Sequence, residues 1–173
     1  MKKASLLMLL SIPLFSGCST VTGLKSYTTA YNEPQPATSS RLRVITDQTV
    51  RLVPDSQCID WHLPGAGIVN SRSLAPLNDH TFNDRSLGIP GGDGVQNSSE
   101  IYIRPDTPIT LVYAGATRKY QCVTGVHFVP EAGADYEAKS EPCGIWISKI
   151  VKNSTTGAVS REPVSSHTAK TCH

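Results

Sequence analysis

The run Glu100-Ile101-Tyr102-Ile103-Arg104 and the run Ile109-Thr110-Leu111-Val112-Tyr113 flank Pro105-Asp106-Thr107-Pro108. Both runs are rich in β-branched and aromatic residues, and the prolines between them cannot sit in a central strand, so the stretch reads as strand, turn, strand. Working towards the C-terminus, Lys119 to Thr124, Val126 to Val129, Asp135 to Lys139 and Gly144 to Val151 repeat the pattern, each bounded by Gly, Pro or Asn. Towards the N-terminus, Leu42 and Val44, then Val50 and Leu52, alternate with Arg41, Arg43 and Arg51 around Thr46-Asp47-Gln48, which predicts a hairpin with one buried face. About eight short strands with no periodic helix of ten residues predict an all-β fold: a single β-sandwich or partly closed barrel.

Between these strand regions, Pro54 to Ser99 is irregular, with breakers at Pro64-Gly65-Ala66-Gly67 and from Gly88 to Gly94 and short apolar pieces at Ile68-Val69 and Phe82. An irregular insertion of this length in a compact domain is more often functional than decorative. Beyond Lys152, Asn153-Ser154-Thr155-Thr156-Gly157 opens a polar stretch to residue 173 that reads as a tail, pinned only if Cys172 is bridged. Residues 41–152 are the expected domain.

The N-terminus carries an address. Met1, Lys2 and Lys3 precede an apolar stretch from Ala4 to Phe15, with Ser16 and Gly17 as small residues before Cys18. That is the layout of a secretory signal, and its apolar run is too short for the roughly 20 residues of a spanning helix. Phe15-Ser16-Gly17-Cys18 resembles the lipobox of bacterial lipoproteins. The resemblance implies that residues 1–17 are removed and that Cys18 is acylated. Ser19 and Thr20, with no Asp, resemble the pattern sorted to the outer membrane, which implies a lipid anchor there and a domain facing the periplasm. Three acyl chains at about 0.8 kcal/mol per buried methylene make attachment effectively permanent. Ser19 to Ser40, with Pro34 and Pro36, reads as a flexible tether, so that 18–40 is lipidated Cys plus linker.

Cysteine parity agrees with that address. Of five cysteines, Cys18 aside, Cys58, Cys122, Cys143 and Cys172 form an even set exported to a compartment where disulfides persist. Four cysteines allow three pairings. The reading favours Cys122 with Cys143, tying neighbouring strands, and Cys58 with Cys172, pinning the tail.

The 173 residues include 39% hydrophobic and 17% charged, which suits one folded domain. Lys plus Arg number 16 and Asp plus Glu 14. Removal of residues 1–17 takes away Lys2 and Lys3 and leaves a formally neutral mature chain, so no nucleic-acid partner is expected.

Residues 41 to 150 also resemble small uncharacterised proteobacterial lipoproteins. The residues that carry the likeness are Arg41-Leu42-Arg43-Val44, Val50-Arg51, Cys58-Ile59-Asp60-Trp61, Pro64-Gly65-Ala66-Gly67, Tyr120-Gln121-Cys122, Phe128-Val129-Pro130-Glu131 and Gly133-Ala134-Asp135-Tyr136-Glu137. It implies one envelope domain and no particular activity.

Candidate chemistry is thin. Asp60 with His62, Asp79 with His80, and Glu131 with Asp135 could form acid-base pairs, but no nucleophile elbow or metalloprotease helix accompanies them. His62, His80 and His127 with Asp79 or Asp84 are scattered rather than grouped, so no metal is expected. Gly88-Ile89-Pro90-Gly91-Gly92-Asp93-Gly94 lacks the Lys-Ser or Lys-Thr and the helix of a phosphate loop, so it reads as a mobile loop and no nucleotide is expected. No catalytic residue and no cofactor is assigned. Trp146 leans towards the core, and Trp61, beside the irregular loops, is the candidate anchor for a partner. The expected function is noncovalent binding of a periplasmic protein, as an accessory component of an envelope or secretion apparatus. The alternatives are an immunity or inhibitor lipoprotein that neutralises a periplasm-acting toxin or lytic enzyme and, more weakly, a periplasmic hydrolase.

Overall fold

A computed structural model describes residues 28–72, 82–116 and 121–173. These form ten strands: β1 (Ser40–Thr46), β2 (Thr49–Pro54), β3 (Gly67–Ser71), β4 (Ser98–Ile103), β5 (Ile109–Ala116), β6 (Gln121–Phe128), β7 (Asp135–Glu141), β8 (Gly144–Lys152), β9 (Val159–Pro163) and β10 (His167–Thr168). They make two five-stranded sheets, ordered β4-β1-β7-β8-β9 (the B sheet) and β10-β6-β5-β2-β3 (the A sheet), that face each other without closing into a barrel. The fold is an all-β sandwich.

Leu42, Val44, Ile101, Ile103, Tyr136, Ala138, Ile145 and Ile147 from the B sheet meet Val50, Leu52, Val69, Ile109, Leu111, Tyr113 and Phe128 from the A sheet in one core. Their alternation along each strand is the period-2 pattern read from the sequence. Phe128 meets Tyr136 edge to face across the layers, with ring centres 5.1 Å apart.

The expected hairpin of residues 41–52 does not form. β1 pairs with β4 and β7, and β2 with β3 and β5, so the Asp47-Gln48 connection arches from one sheet to the other. Leu42 and Val44 supply one wall of the core and Val50 and Leu52 the opposite wall, a burial that paired neighbours in one sheet could not give. β1 and β7 run parallel, joined by a long crossover, whereas the other strand pairings are antiparallel.

The expected tail and much of the expected tether belong to the domain. Residues 159–163 pair with β8, and 167–168 with β6, so the C-terminal stretch contributes a strand to each sheet. Tyr31 is buried in the core, and Ala30 bridges to Ile68 with Tyr31 N donating to Ile68 O at 2.9 Å. That segment covers the free edge of β3. Gly67 accommodates it, because a Cβ there would lie 2.6 Å from the Thr29 carbonyl oxygen.

Other edges are also protected. Glu33 accepts the Tyr102 N–H at 2.7 Å, and Arg85 O accepts the Glu100 N–H at 2.9 Å, along β4. On β9, Val164 N donates to Ile147 O, so the even-numbered residues face β8 and Pro163, which has no N–H, faces outward.

The disulfides are Cys58–Cys172, closing a separation of 114 residues, and Cys122–Cys143, closing 21. The second joins the start of β6 to the β7–β8 turn and so ties one sheet to the other. In that turn Pro142 is followed by Cys143 at φ 64°. The first holds the C-terminal segment to the loop after β2, where Ile59 N donates to Lys170 O and Cys172 N to Ile59 O. Both bridges belong to an oxidising, extracytoplasmic compartment.

Candidate functional site

Arg43 points away from the core, yet its side chain is only 1% exposed. Cross-strand register places it between Glu100 on β4 and Glu137 on β7, and it bonds both at 2.9 Å. Glu137 also takes Arg161 of β9 at 2.6 Å, completing a row of alternating charge across the outer face of the B sheet. Burial pushes the Glu137 carboxyl up, but hydrogen bonds from Arg161 and Arg43 outweigh it and hold the group below its ordinary range.

The Gly-rich loop expected to be mobile is clamped onto this row. Arg43 donates to the carbonyls of Ile89 and Pro90, Arg161 to that of Gly91, and Arg41 to that of Leu87. Glu100 accepts the N–H groups of Leu87 and Ile89. A Cβ on Gly92 would lie 3.0 Å from the Arg43 guanidinium carbon, so glycine is what lets the loop approach. The Leu87 and Ile89 N–H groups are thus taken by a carboxylate of the same chain and are not free to greet an anion. A cleft of about 540 Å³ remains between the loop and the β8–β9 end, lined by Asp84, Arg85, Asp93, Lys152 and Gly157 among others. Glu100 also lines it, so three carboxylates face two cations there.

On the same sheet face, beyond the loop's cover, Trp146 is 58% exposed. The alternation that sends Ile145 and Ile147 inward sends Trp146 out, against the expected lean to the core. Its ring lies over Gly144, where a Cβ would collide with it. Lys139 is its cross-strand partner and pairs with Glu141. Val123 and Val129 are the other large hydrophobic residues exposed to this degree among those described.

Trp61 is half-buried, its ring 3.5 Å from the guanidinium carbon of Arg51. Arg51 is itself buried on the outer face of the A sheet. Trp61 therefore serves as an intramolecular lid as well as a surface group.

Of the two candidate acid-base pairs within the described residues, one forms and the other is divided between separate ion pairs. Asp60 and His62 do meet, with Oδ1 3.1 Å from Nδ1, in an exposed turn that Asp60 also caps at the His62 N–H. Glu131 is paired with Lys149 at 2.6 Å, and Asp135 with Arg41 at 2.7 Å, so that couple serves two ion pairs. Asp84 is held below its ordinary pKa by the hydrogen bond from Arg72. His127 lies far along the fold from His62, on β6, where it faces His167 of β10. Among the described residues no three His, Cys, Asp or Glu side chains gather as a metal set. Cys18, Asp79 and His80 lie outside the described residues.

Sequence reasoning missed the Glu100–Arg43–Glu137–Arg161 row and the His127–His167 pair. For the row there was a signal: Arg41 and Arg43 alternate with the core residues Leu42 and Val44 on β1. For His167 there was none, because its strand is two residues long. No family model, curated protein or solved structure matches the chain.

Proposed function

We propose that this chain is an outer-membrane-anchored periplasmic lipoprotein that acts by noncovalent binding of a protein partner, as an accessory component of an envelope or secretion apparatus. The observation that carries the reading is Trp146. A ring this exposed, laid flat on a rigid sheet by Gly144, stands ready to desolvate at little entropic cost, which is what interface anchors do. Trp61 ranks second because Arg51 already uses one of its faces.

The anchor is supported by cysteine use. With Cys58 bridged to Cys172 and Cys122 to Cys143, Cys18 is the one cysteine left over for acylation. Mass spectrometry of the mature N-terminal peptide tests it, and an unmodified Cys18 would remove the anchor from the reading.

The binding test is affinity capture from solubilised envelopes with the lipidated chain and with Trp146→Ala. A stoichiometric membrane complex that is retained by the parent chain and lost by the variant supports the accessory role. A single hydrolase whose activity falls on addition of the domain would move the assignment to inhibitor or immunity protein. Equal capture by both chains would overturn Trp146 as the anchor.

A further inference from the structure

Where β6, β8, β9 and β10 come together, His127 and His167 are direct partners across an antiparallel ladder. Ala169 N donates to Gly125 O at 2.8 Å two positions along, which fixes the register. Opposed residues in such a pair send their side chains to one face. The two ring centres are 5.5 Å apart and the planes are inclined by 35°.

That spacing has a chemical meaning. An imidazole nitrogen sits 2.0–2.1 Å from a zinc ion, and the ring centre lies about 1.15 Å beyond it, so two imidazoles on one tetrahedral ion have centres roughly 5.2 Å apart. The observed separation is within a few tenths of an ångström of that value. Packed rings also stand about 4.5–7 Å apart, so the spacing admits shared coordination, and the unpartnered His127 Nδ1 adds a second reason for it.

We propose that His127 and His167 together bind a borderline divalent transition-metal ion, copper or zinc, with water in its remaining positions. The rings open onto a groove of about 560 Å³ lined also by Gln57, Glu131, Lys149 and Glu162, so the ion has solvent access. The charged groups facing the pair are Glu131 from the β6–β7 loop, Lys149 from β8 and Glu162 from β9. Lys149 is neutralised by Glu131 at 2.6 Å, which offsets its repulsion of a bound cation. Burial, and then the neighbouring His167, holds the His127 imidazole below its ordinary pKa, and its Nδ1 is buried with no hydrogen-bond partner. Neutral imidazole is the form that binds metal. Imidazole donors favour copper and zinc over calcium and magnesium, which need oxygen cages.

This site is independent of the Trp146 reading, so either can fail alone. The test is calorimetric titration of the mature, detergent-solubilised chain with copper(II), zinc(II) and calcium(II) chlorides near neutral pH. The expected result is one saturable copper or zinc ion per chain and no calcium. His127→Gln and His167→Gln should each weaken binding at least about tenfold, while His62→Gln leaves it within about twofold. Copper(II) should broaden the imidazole proton resonances of both residues. Affinity should fall by about tenfold or more between roughly pH 7.5 and 5.5, as protons compete. His167 is exposed, so its variant folds even if the His127 variant is disturbed. Absence of saturable binding, equal binding of calcium, retention by both variants, or loss through His62 would overturn the proposal.

Discussion

Arg43 and Glu137 are 94 residues apart in the chain and stand opposite each other in the β1–β7 parallel pairing, joined by a hydrogen bond of 2.9 Å. Glu100 holds the other side of the same guanidinium. Neither carboxylate sees much water, and removing the cation strands Glu100 while Glu137 keeps only Arg161. Arg43→Leu is expected to cost about 3–5 kcal/mol, which at roughly 2–4 °C per kcal/mol for a domain of this size is a fall in melting temperature of about 10 °C. It should also free the loop from Leu87 to Gly92, read as loss of amide protection at Leu87 and Ile89. A melting temperature unchanged by Arg43→Leu would show that the row contributes nothing net.

The two disulfides close loops of very different length. The chain-entropy relation gives about 5 kcal/mol for the 114-residue separation and about 3 kcal/mol for the 21-residue one. The Cys58→Ser/Cys172→Ser double variant should therefore melt lower than Cys122→Ser/Cys143→Ser, and should lose protection at the Ala169 amide. Denaturation of the two double variants side by side checks the order.

Stability should depend on pH through His127. Its folded pKa is depressed by burial, so the unfolded chain binds the proton more readily. The contribution is fully present above the unfolded value of about 6.5 and is lost as pH falls from there to the folded value. Melting in the presence of a chelator should show a downward slope across that window, and His127→Gln should flatten it. Glu137 acts separately at lower pH: its carboxyl is held below 4.5, so its contribution disappears only as pH drops beneath that value.

Gly125 lies inside β6 where the C-terminal segment crosses close by. A Cβ there would sit 2.7 Å from the Ala169 carbonyl oxygen and 3.0 Å from Ile59 Cδ1. Gly125→Ala should cost roughly 1–3 kcal/mol by overpacking and should speed exchange of the Ala169 amide, which donates to Gly125 O. Unchanged exchange would mean that the segment moves aside freely.

Trp61→Ala and Trp146→Ala separate two kinds of aromatic residue. Loss of Trp61 uncovers Arg51 and should lower stability by about 0.5–2 kcal/mol, whereas Trp146→Ala should stay within about 0.5 kcal/mol, as exposed substitutions do. Chemical denaturation of both variants gives the comparison.

The sandwich was legible because Ile101, Ile103, Leu111 and Tyr113 obey the period of two that a half-buried strand imposes. What the alternation could not convey was which sheet each strand joins. A two-residue Asp47-Gln48 connection is short enough for a hairpin, and only the opposed placement of Leu42 and Leu52 in the core distinguishes an arch. Arg43 and Arg51 were misleading for a physical reason: alternating charge normally marks a wet face, but here a loop covers one and Trp61 the other. The strand from Val159 to Pro163 escaped notice because it is an exposed edge with nothing apolar to repeat. Tyr31 is a large residue among prolines and threonines, and its burial turned an expected leash into part of the body. The candidate site fared worse than the fold, since pairs such as His127 and His167 are made by topology and leave no spacing to read.

Pro163 has a further effect at high surface density. Molecules crowded side by side can zip together through any bare run of main chain, and growth of that kind needs a donor at every second position. The missing hydrogen on that nitrogen interrupts the row of donors, so crowding finds no continuous template along that edge.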